Sequence, residues 1–372
     1  MRQTIDNLRI AGCAMRYSQF VPRLYNYCLS LGFDRNRMMP SRAFCSDESQ
    51  GYPVILLAQH FGTFPFDHGR VGGKVAVNRH GPHAHHGEDL VIVQASHVGY
   101  DAQTRRFGVY RRHRTHGRGF GDNCGKICGV LHWYMQEYRY AAEQVLCGAL
   151  DGAPVVLIDN LLLDAARPEG LVLKLENLVD RADGPLRAMS TCKAFRPAAS
   201  LLARLGPECW LQPPAALGDR LTSDLFTFRR MPAQDIEHYD QIEVALGPVM
   251  PALVTSPDPA LDAARFHTQV EFDRTYRSIV REPAYRDKNL LFVAGLNIDV
   301  SPGEGMPFPL TKFVPWAAYV SLRDGRRSLL EQDELVATLR AQSADNSDRL
   351  SFDEVIADMS EVDEIIFDAR LG

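Results

Sequence analysis

Three short stretches of this chain carry residue types that bind soft metal ions. In "FCSDE", residues 44–48, the thiol of Cys45 precedes the carboxylate of Asp47 by two positions. In an extended chain both side chains point the same way. In "LVIVQASHVG", residues 90–99, an apolar run carries the chain into His97, with glycine two residues on. In "NCGKICG", residues 123–129, Cys124 and Cys128 are one helical turn apart at the start of a long proline-free segment. Thiolate and neutral imidazole are the ligands zinc favours, and a helix N-terminus favours the thiolate form of a cysteine. Each stretch alone is equally compatible with a buried thiol or a packed core histidine. The spacing of Cys124 and Cys128 suits a shared face and simple packing alike.

The elements that must position these residues are legible in outline. Residues 4–31 space their apolar side chains as one or two amphipathic helices, with Gly32 as the stop. Short apolar runs around Phe44 and over Val54–Ala58 read as strands ended by turn residues, and Leu90–Val93 as a further strand. The segment from Cys124 to Leu150 reads as a long helix, "PVVLID" at 154–159 as a buried strand or the start of a buried helix, and 166–205 as mostly helical. "NLLFVAGLNIDV" and "KFVPWAAYVSL" read as an antiparallel strand pair. A closing helix begins with a capping box from Ser351 to Glu354. Strands alternating with helices imply an α/β sheet. The proline-rich "GPECWLQPPAALGD" suggests a boundary, giving domains 1–215 and 216–372.

Bulk properties narrow the class of protein. The chain has 372 residues and a net charge of -5, long enough for a large core and without the basic field that nucleic acid or anionic membrane would call for. No apolar run reaches the roughly 20 residues of a bilayer span, and charges fall where a signal peptide needs an apolar core, so a cytoplasmic protein is expected. Eight scattered cysteines do not make a small-domain disulfide framework. Ten of the twelve histidines lie between His60 and His132, which marks that segment as the chemical one. Its arginine run from Arg105 to Arg118 could hold an anion, though a solvated hairpin face explains it as well.

Taken in order, "FCSDE", "HFGTFPFDHGRVGG" (60–73), "AHHGEDLVIVQASHVGYD" (84–101) and "CGKICG" (124–129) resemble the limiting-CO2-inducible protein B/C family, whose members look like β-type carbonic anhydrases and are also called theta carbonic anhydrases. The motifs cover about a quarter of the chain. The resemblance implies a β-carbonic-anhydrase-like mixed sheet flanked by helices, followed by a C-terminal α+β extension. It implies a zinc ion on Cys45, His97 and Cys124, with Cys128 the rival for the third position, and Asp47 orienting a zinc-bound hydroxide that hydrates CO2 to bicarbonate, in a homodimer.

Phe61, Phe64, Phe66 and Val98 are candidates for an apolar CO2 pocket, and His83, His85 and His86 for a proton shuttle near neutral pH. Two departures stand out. Ser49 occupies the position where β-type enzymes carry an arginine that pairs with the aspartate, leaving Arg42, Arg70 or Arg79 to serve instead, and "ASH" replaces the usual "GPH". A non-catalytic zinc-binding member of the family, acting as a structural or CO2-handling partner, is the competing expectation.

Overall fold

The computed structural model describes residues 2–35, 37–67, 69–70, 74–75, 89–111, 120–231, 239–303, 306 and 308–361. The chain divides into two compact units, one built mainly from residues 9–97 and 271–372, the other from 98–111 and 119–270 together with the first eight residues.

The first unit is organised by a mixed sheet. Its strands run in the order Met15–Arg16, Leu310–Ser321, Leu290–Val300, Asp89–Asp101, Met38–Ala43, Phe66–Asp67. Met38–Ala43 is parallel to both Asp89–Asp101 and Phe66–Asp67. The pair expected at 290–321 is present and antiparallel, running from Leu290 opposite Ser321 to Val300 opposite Leu310, with an irregularity at Ala294/Gly295. Strand residues alternate between faces. Leu90, Ile92, Leu290, Phe292 and Ala294 pack on one face with Phe272 and Ile279 of the helix Pro259–Arg281. The other face therefore receives Val91, Val93, Ala95 and His97, together with Asn297 and Asp299. On that side Tyr17 of the helix Tyr17–Ser30 packs edge-on, and Phe20 stacked, against Phe313.

Several expectations are corrected. Val54–Ala58 is helical, within Gly51–Phe61. A short apolar run carries no period of its own, and the decisive signals are Pro53 in the first turn and Gly62, whose φ of 73° stops the helix. The strand near Phe44 ends at Ala43, just before it. The single long helix read from Cys124 to Leu150 is a helix over Gly125–Gln144 followed directly by a strand over Val145–Leu150.

In the second unit that strand pairs antiparallel with Ala153–Asp159, so "PVVLID" is a strand. The stretch 166–205, read as mostly helical, holds the strands Gly170–Leu173, Arg187–Ala188 and Cys192–Phe195 and only two short helices. Pro168, Pro185 and Pro197 interrupt it too often for a long helix. Near the C-terminus, the Ser351 hydroxyl accepts the Glu354 N–H at 3.4 Å at the start of the helix Phe352–Glu361, as the capping box requires.

Candidate metal centre

Cys45 follows the end of the parallel strand Met38–Ala43 and is buried. The chain then turns at Asp47, whose carboxylate accepts the Ser49 N–H at 3.1 Å and caps a 3-10 turn over Glu48–Gln50. That turn runs straight into the helix Gly51–Phe61. The spacing Cys-x-Asp thus places a thiol at a strand end and a carboxylate at the first turn after it. Burial works to raise the Asp47 carboxyl, but the charge His97 carries when protonated and the Ser49 hydrogen bond outweigh it and leave it below the usual carboxylate value.

His97 is fully buried on the strand Asp89–Asp101. Its Nδ1 lies 2.8 Å from Oδ2 of Asp299 on the neighbouring strand. Asp299, itself fully buried, also accepts hydrogen bonds from the Ser49 hydroxyl at 2.8 Å, from Gln50 Nε2 at 3.0 and 2.8 Å and from the Thr311 hydroxyl at 3.0 Å. Such a collar offsets the desolvation of a buried carboxylate. It also decides the tautomer. With Nδ1–H donated to Asp299, Nε2 carries the lone pair that a metal takes, the arrangement that raises ligand basicity in metal-bound histidines. The network continues through Gln50 Oε1, which accepts from Asn297 Nδ2 at 2.6 Å, to the Tyr17 hydroxyl, which donates to Asn297 Oδ1 at 2.7 Å.

Cys124 is buried at the N-cap of the helix Gly125–Gln144, where the positive end of the backbone dipole favours an anionic sulfur. The residue before it is fixed by backbone bonds. Gly99 N–H donates to Asn123 O at 2.9 Å, Asn123 N–H to Gly108 O at 3.0 Å, and Gly108 N–H to Gly99 O at 2.9 Å. A Cβ on Gly99 would sit 2.5 Å from the Val109 carbonyl oxygen, which explains the glycine of "HVG".

Cys45, His97 and Cys124 each offer a ligand atom, and these atoms lie within 4.8 Å of one another. Around zinc, bonds of about 2.3 Å to sulfur and about 2.0 Å to nitrogen set tetrahedral ligand atoms roughly 3.5–3.8 Å apart, so small adjustments close the cluster on one ion. Two thiols and one imidazole, all buried, are a soft donor set suited to a metal ion. Cys128 is outside the cluster. It is half-buried one turn on, and its thiol points to Gly108 O at 3.6 Å. Of the two rivals, Cys124 is therefore the residue placed with Cys45 and His97.

The remaining sequence candidates disperse. Phe61 packs edge-on against Tyr25 in the core, at 5.4 Å between ring centroids. Phe64 is 77% exposed and Phe66 43% exposed, because Gly62 turns the chain outward after the helix. Val98, next to His97 on a strand, faces away from it. His83, His85 and His86 lie outside the described residues, as do Arg79 and the side chain of Arg70. Arg42 pairs with Asp67 at 2.6 Å. Ser49 is fully buried with its hydroxyl on Asp299, so the position at which an arginine was expected is a small donor in the collar of the histidine's partner.

Gln50 and Asp299 belong to no motif in the sequence. The available signal was a pair of polar residues, Asn297 and Asp299, alternating inside the otherwise apolar "LLFVAGLNIDV".

The whole chain is similar in fold to a structurally characterised protein, PtLCIB4, a homolog of the limiting CO2-inducible protein LCIB. The TM-score is 0.50 at 12% identity, covering 89% of this chain and 99% of that one. A point mutant of PtLCIB4 matches with TM-score 0.50 and 12% identity, over 88% and 96% of the two chains. LCIB itself matches with TM-score 0.46 and 11% identity, over 87% and 96%. The chain is thus an α/β protein with a mixed sheet of the kind PtLCIB4 has. At this identity the likeness is one of fold. No family model and no curated protein matches the sequence.

Proposed function

We propose that this protein is a zinc-dependent carbonic anhydrase, interconverting CO2 and bicarbonate at Cys45, His97 and Cys124. The observation that carries the reading is this buried Cys, His, Cys cluster, with its histidine oriented by Asp299, in a chain with the fold of an LCIB homolog. A zinc ion held there supplies Lewis-acid activation of water at neutral pH. The protein's own groups do the rest. Asp299 holds the proton on His97 Nδ1 and keeps the ring fixed as a neutral ligand. Asp47, held by Ser49 N–H beside the cluster, is an acceptor for a polar hydrogen of bound water. Two thiolates would neutralise the charge of a divalent cation held there.

The proton released in hydration needs a relay to solvent, a role for which His83, His85 and His86 are candidates by composition. Assembly as a homodimer belongs to the same reading. Phe64, Phe66, Phe308 and Leu310 are large apolar side chains left exposed near the ends of this sheet's strands, and a second copy could cover them. A cytoplasmic location fits as well, and no helix among the described residues is long and apolar enough to cross a membrane.

One observation favours a second reading, that of a zinc-binding protein without hydration activity. Where β-type enzymes carry the arginine that pairs with the aspartate, this chain has Ser49, bonded to Asp299, and Arg42 is committed to Asp67. Metal analysis combined with stopped-flow CO2 hydration between pH 7 and 9 separates the two. Stoichiometric zinc with hydration above the buffer rate supports the enzyme. Stoichiometric zinc with no acceleration leaves only the second reading.

A further inference from the structure

The hydrogen bonds that lead from Tyr17 to Asp299 all run in one direction. An ionised carboxylate only accepts, so the groups that face Asp299 donate to it, His97 Nδ1–H and Gln50 Nε2 among them. With its NH2 group committed there, Gln50 turns its oxygen to Asn297, at 2.6 Å. An amide oxygen also only accepts, so Asn297 presents its own NH2 and turns Oδ1 to the Tyr17 hydroxyl, at 2.7 Å. A hydroxyl in general donates or accepts, but facing that oxygen it can only donate. Tyr17 is therefore the donor at which the chain begins, and it selects the orientation of both amides.

The phenol is built to stay a donor. Tyr17 and Asn297 are fully buried and Gln50 is 1% exposed, which removes bulk solvent as a substitute. Burial pushes the Tyr17 hydroxyl well above the usual phenol range, by more than its bond to Asn297 lowers it, so the proton is retained. The ring is held without the hydroxyl, edge-on against Phe20, Phe44 and Phe313 at 5.6, 6.4 and 5.8 Å between centroids. With the two amides reversed, Gln50 would set an oxygen against the Asp299 carboxylate. That oxygen would also lie about where Nε2 now stands, 3.3 Å from His97 Nδ1, and compete for the proton that Asp299 holds.

We propose that Tyr17 is a positioning residue of the metal centre, acting through Asn297 and Gln50 to hold Asp299 as the acceptor of the His97 Nδ1–H. Its hydroxyl bonds to Asn297 and to none of the three ligands. The role rests on the metal-binding part of the reading above and is tested without the hydration reaction, so failure of the catalytic reading leaves the test intact.

The test is a double-substitution cycle of Tyr17→Phe and Asp299→Asn in the full-length protein, with zinc affinity read by competition with a chromophoric chelator. Tyr17→Phe keeps the ring contacts and removes only the hydroxyl. In the parent it should weaken zinc roughly threefold to tenfold, less than the loss of a direct histidine partner. Where Asp299 is already Asn it should weaken zinc by less than about twofold, because residues acting through one network are not additive. In the zinc-free protein, imidazole 15N shifts assigned against His97→Gln should show a single Nδ1–H form in the parent and a mixture of tautomers in Tyr17→Phe. A tyrosine that serves the fold alone would lower the melting temperature while leaving the tautomer as it is. An unchanged zinc affinity in Tyr17→Phe, an equal loss in both backgrounds, or an unchanged His97 tautomer overturns the assignment.

Discussion

Two buried polar groups at opposite ends of the strand Leu290–Val300, Asp299 on it and Tyr285 in the turn before it, are treated in opposite ways. Near its C-terminal end the Asp299 carboxylate is completely buried and surrounded by donors from Ser49, Gln50, His97 and Thr311. Near its start the Tyr285 hydroxyl is almost as deeply buried and has no hydrogen-bond partner among the described residues. Burial is the same; satisfaction is not. A fully bonded buried group is a fixture, rigid enough to set the tautomer and aim of a neighbouring ligand. A buried hydroxyl left without a bond costs stability instead. Substitutions at the satisfied end should therefore be costly and felt at the metal, whereas substitution at the open end should cost the protein little.

The largest effect is expected at the cluster itself. Cys124→Ser should lower zinc affinity by more than ~100-fold, beyond what loss of any outer partner does, while Cys128→Ser leaves it near the parent value. Retained metal after dialysis against a chelator measures both, and the opposite pattern would exchange the roles of the two cysteines. Asp299→Asn comes next. It replaces the acceptor of the His97 Nδ1–H and should cost about 10–100-fold in zinc affinity, read by competition with a chromophoric chelator. An unchanged affinity would mean that the satisfied carboxylate serves the fold alone.

Gly99→Ala drives a methyl group against the Val109 carbonyl and should destabilise the protein by about 1–3 kcal/mol in denaturant titrations. Gln50→Leu removes donors from Asp299 and an acceptor from Asn297, and by the cost of unsatisfied buried groups should lower stability by about 1–3 kcal/mol.

The remaining effect is a pH dependence. Burial, with Arg349 nearby, lowers the His60 imidazole from its ordinary 6.5 to about 4. The unfolded chain then takes up a proton as pH falls below 6.5 while the folded chain resists until about 4, so stability present above 6.5 is lost across that window. Replacing His60 with Asn should flatten the stability profile there and leave it unchanged above pH 7.

How much of this was legible follows from the range of the interactions. Cys45, His97 and Cys124 could be named because the motifs around them resemble those of a family with such ligands, although the strand read as Leu90–Val93 in fact runs through His97 to Asp101, and the strand pair at 290–321 because its apolar runs are long. Val54–Ala58 misled because five apolar residues have no period, and the decisive glycine lies beyond them at Gly62. The stretch 166–205 misled because apolar spacing outweighed three prolines. Gln50 and Asp299 were invisible for another reason. Their role arises from a meeting of residues about 250 positions apart, and no local pattern encodes such a meeting. Phe61 and Phe64, neighbours in sequence, differ in surroundings across Gly62: Phe61 is in the core and Phe64 is exposed.

The most direct test of the metal centre is zinc X-ray absorption on the purified protein. Two sulfur ligands at about 2.3 Å with light-atom ligands at about 2.0 Å, one of them showing imidazole scattering that is lost in His97→Ala, is the expected result. A shell of nitrogen and oxygen alone, or a third sulfur in place of the imidazole, would contradict the Cys45, His97, Cys124 assignment.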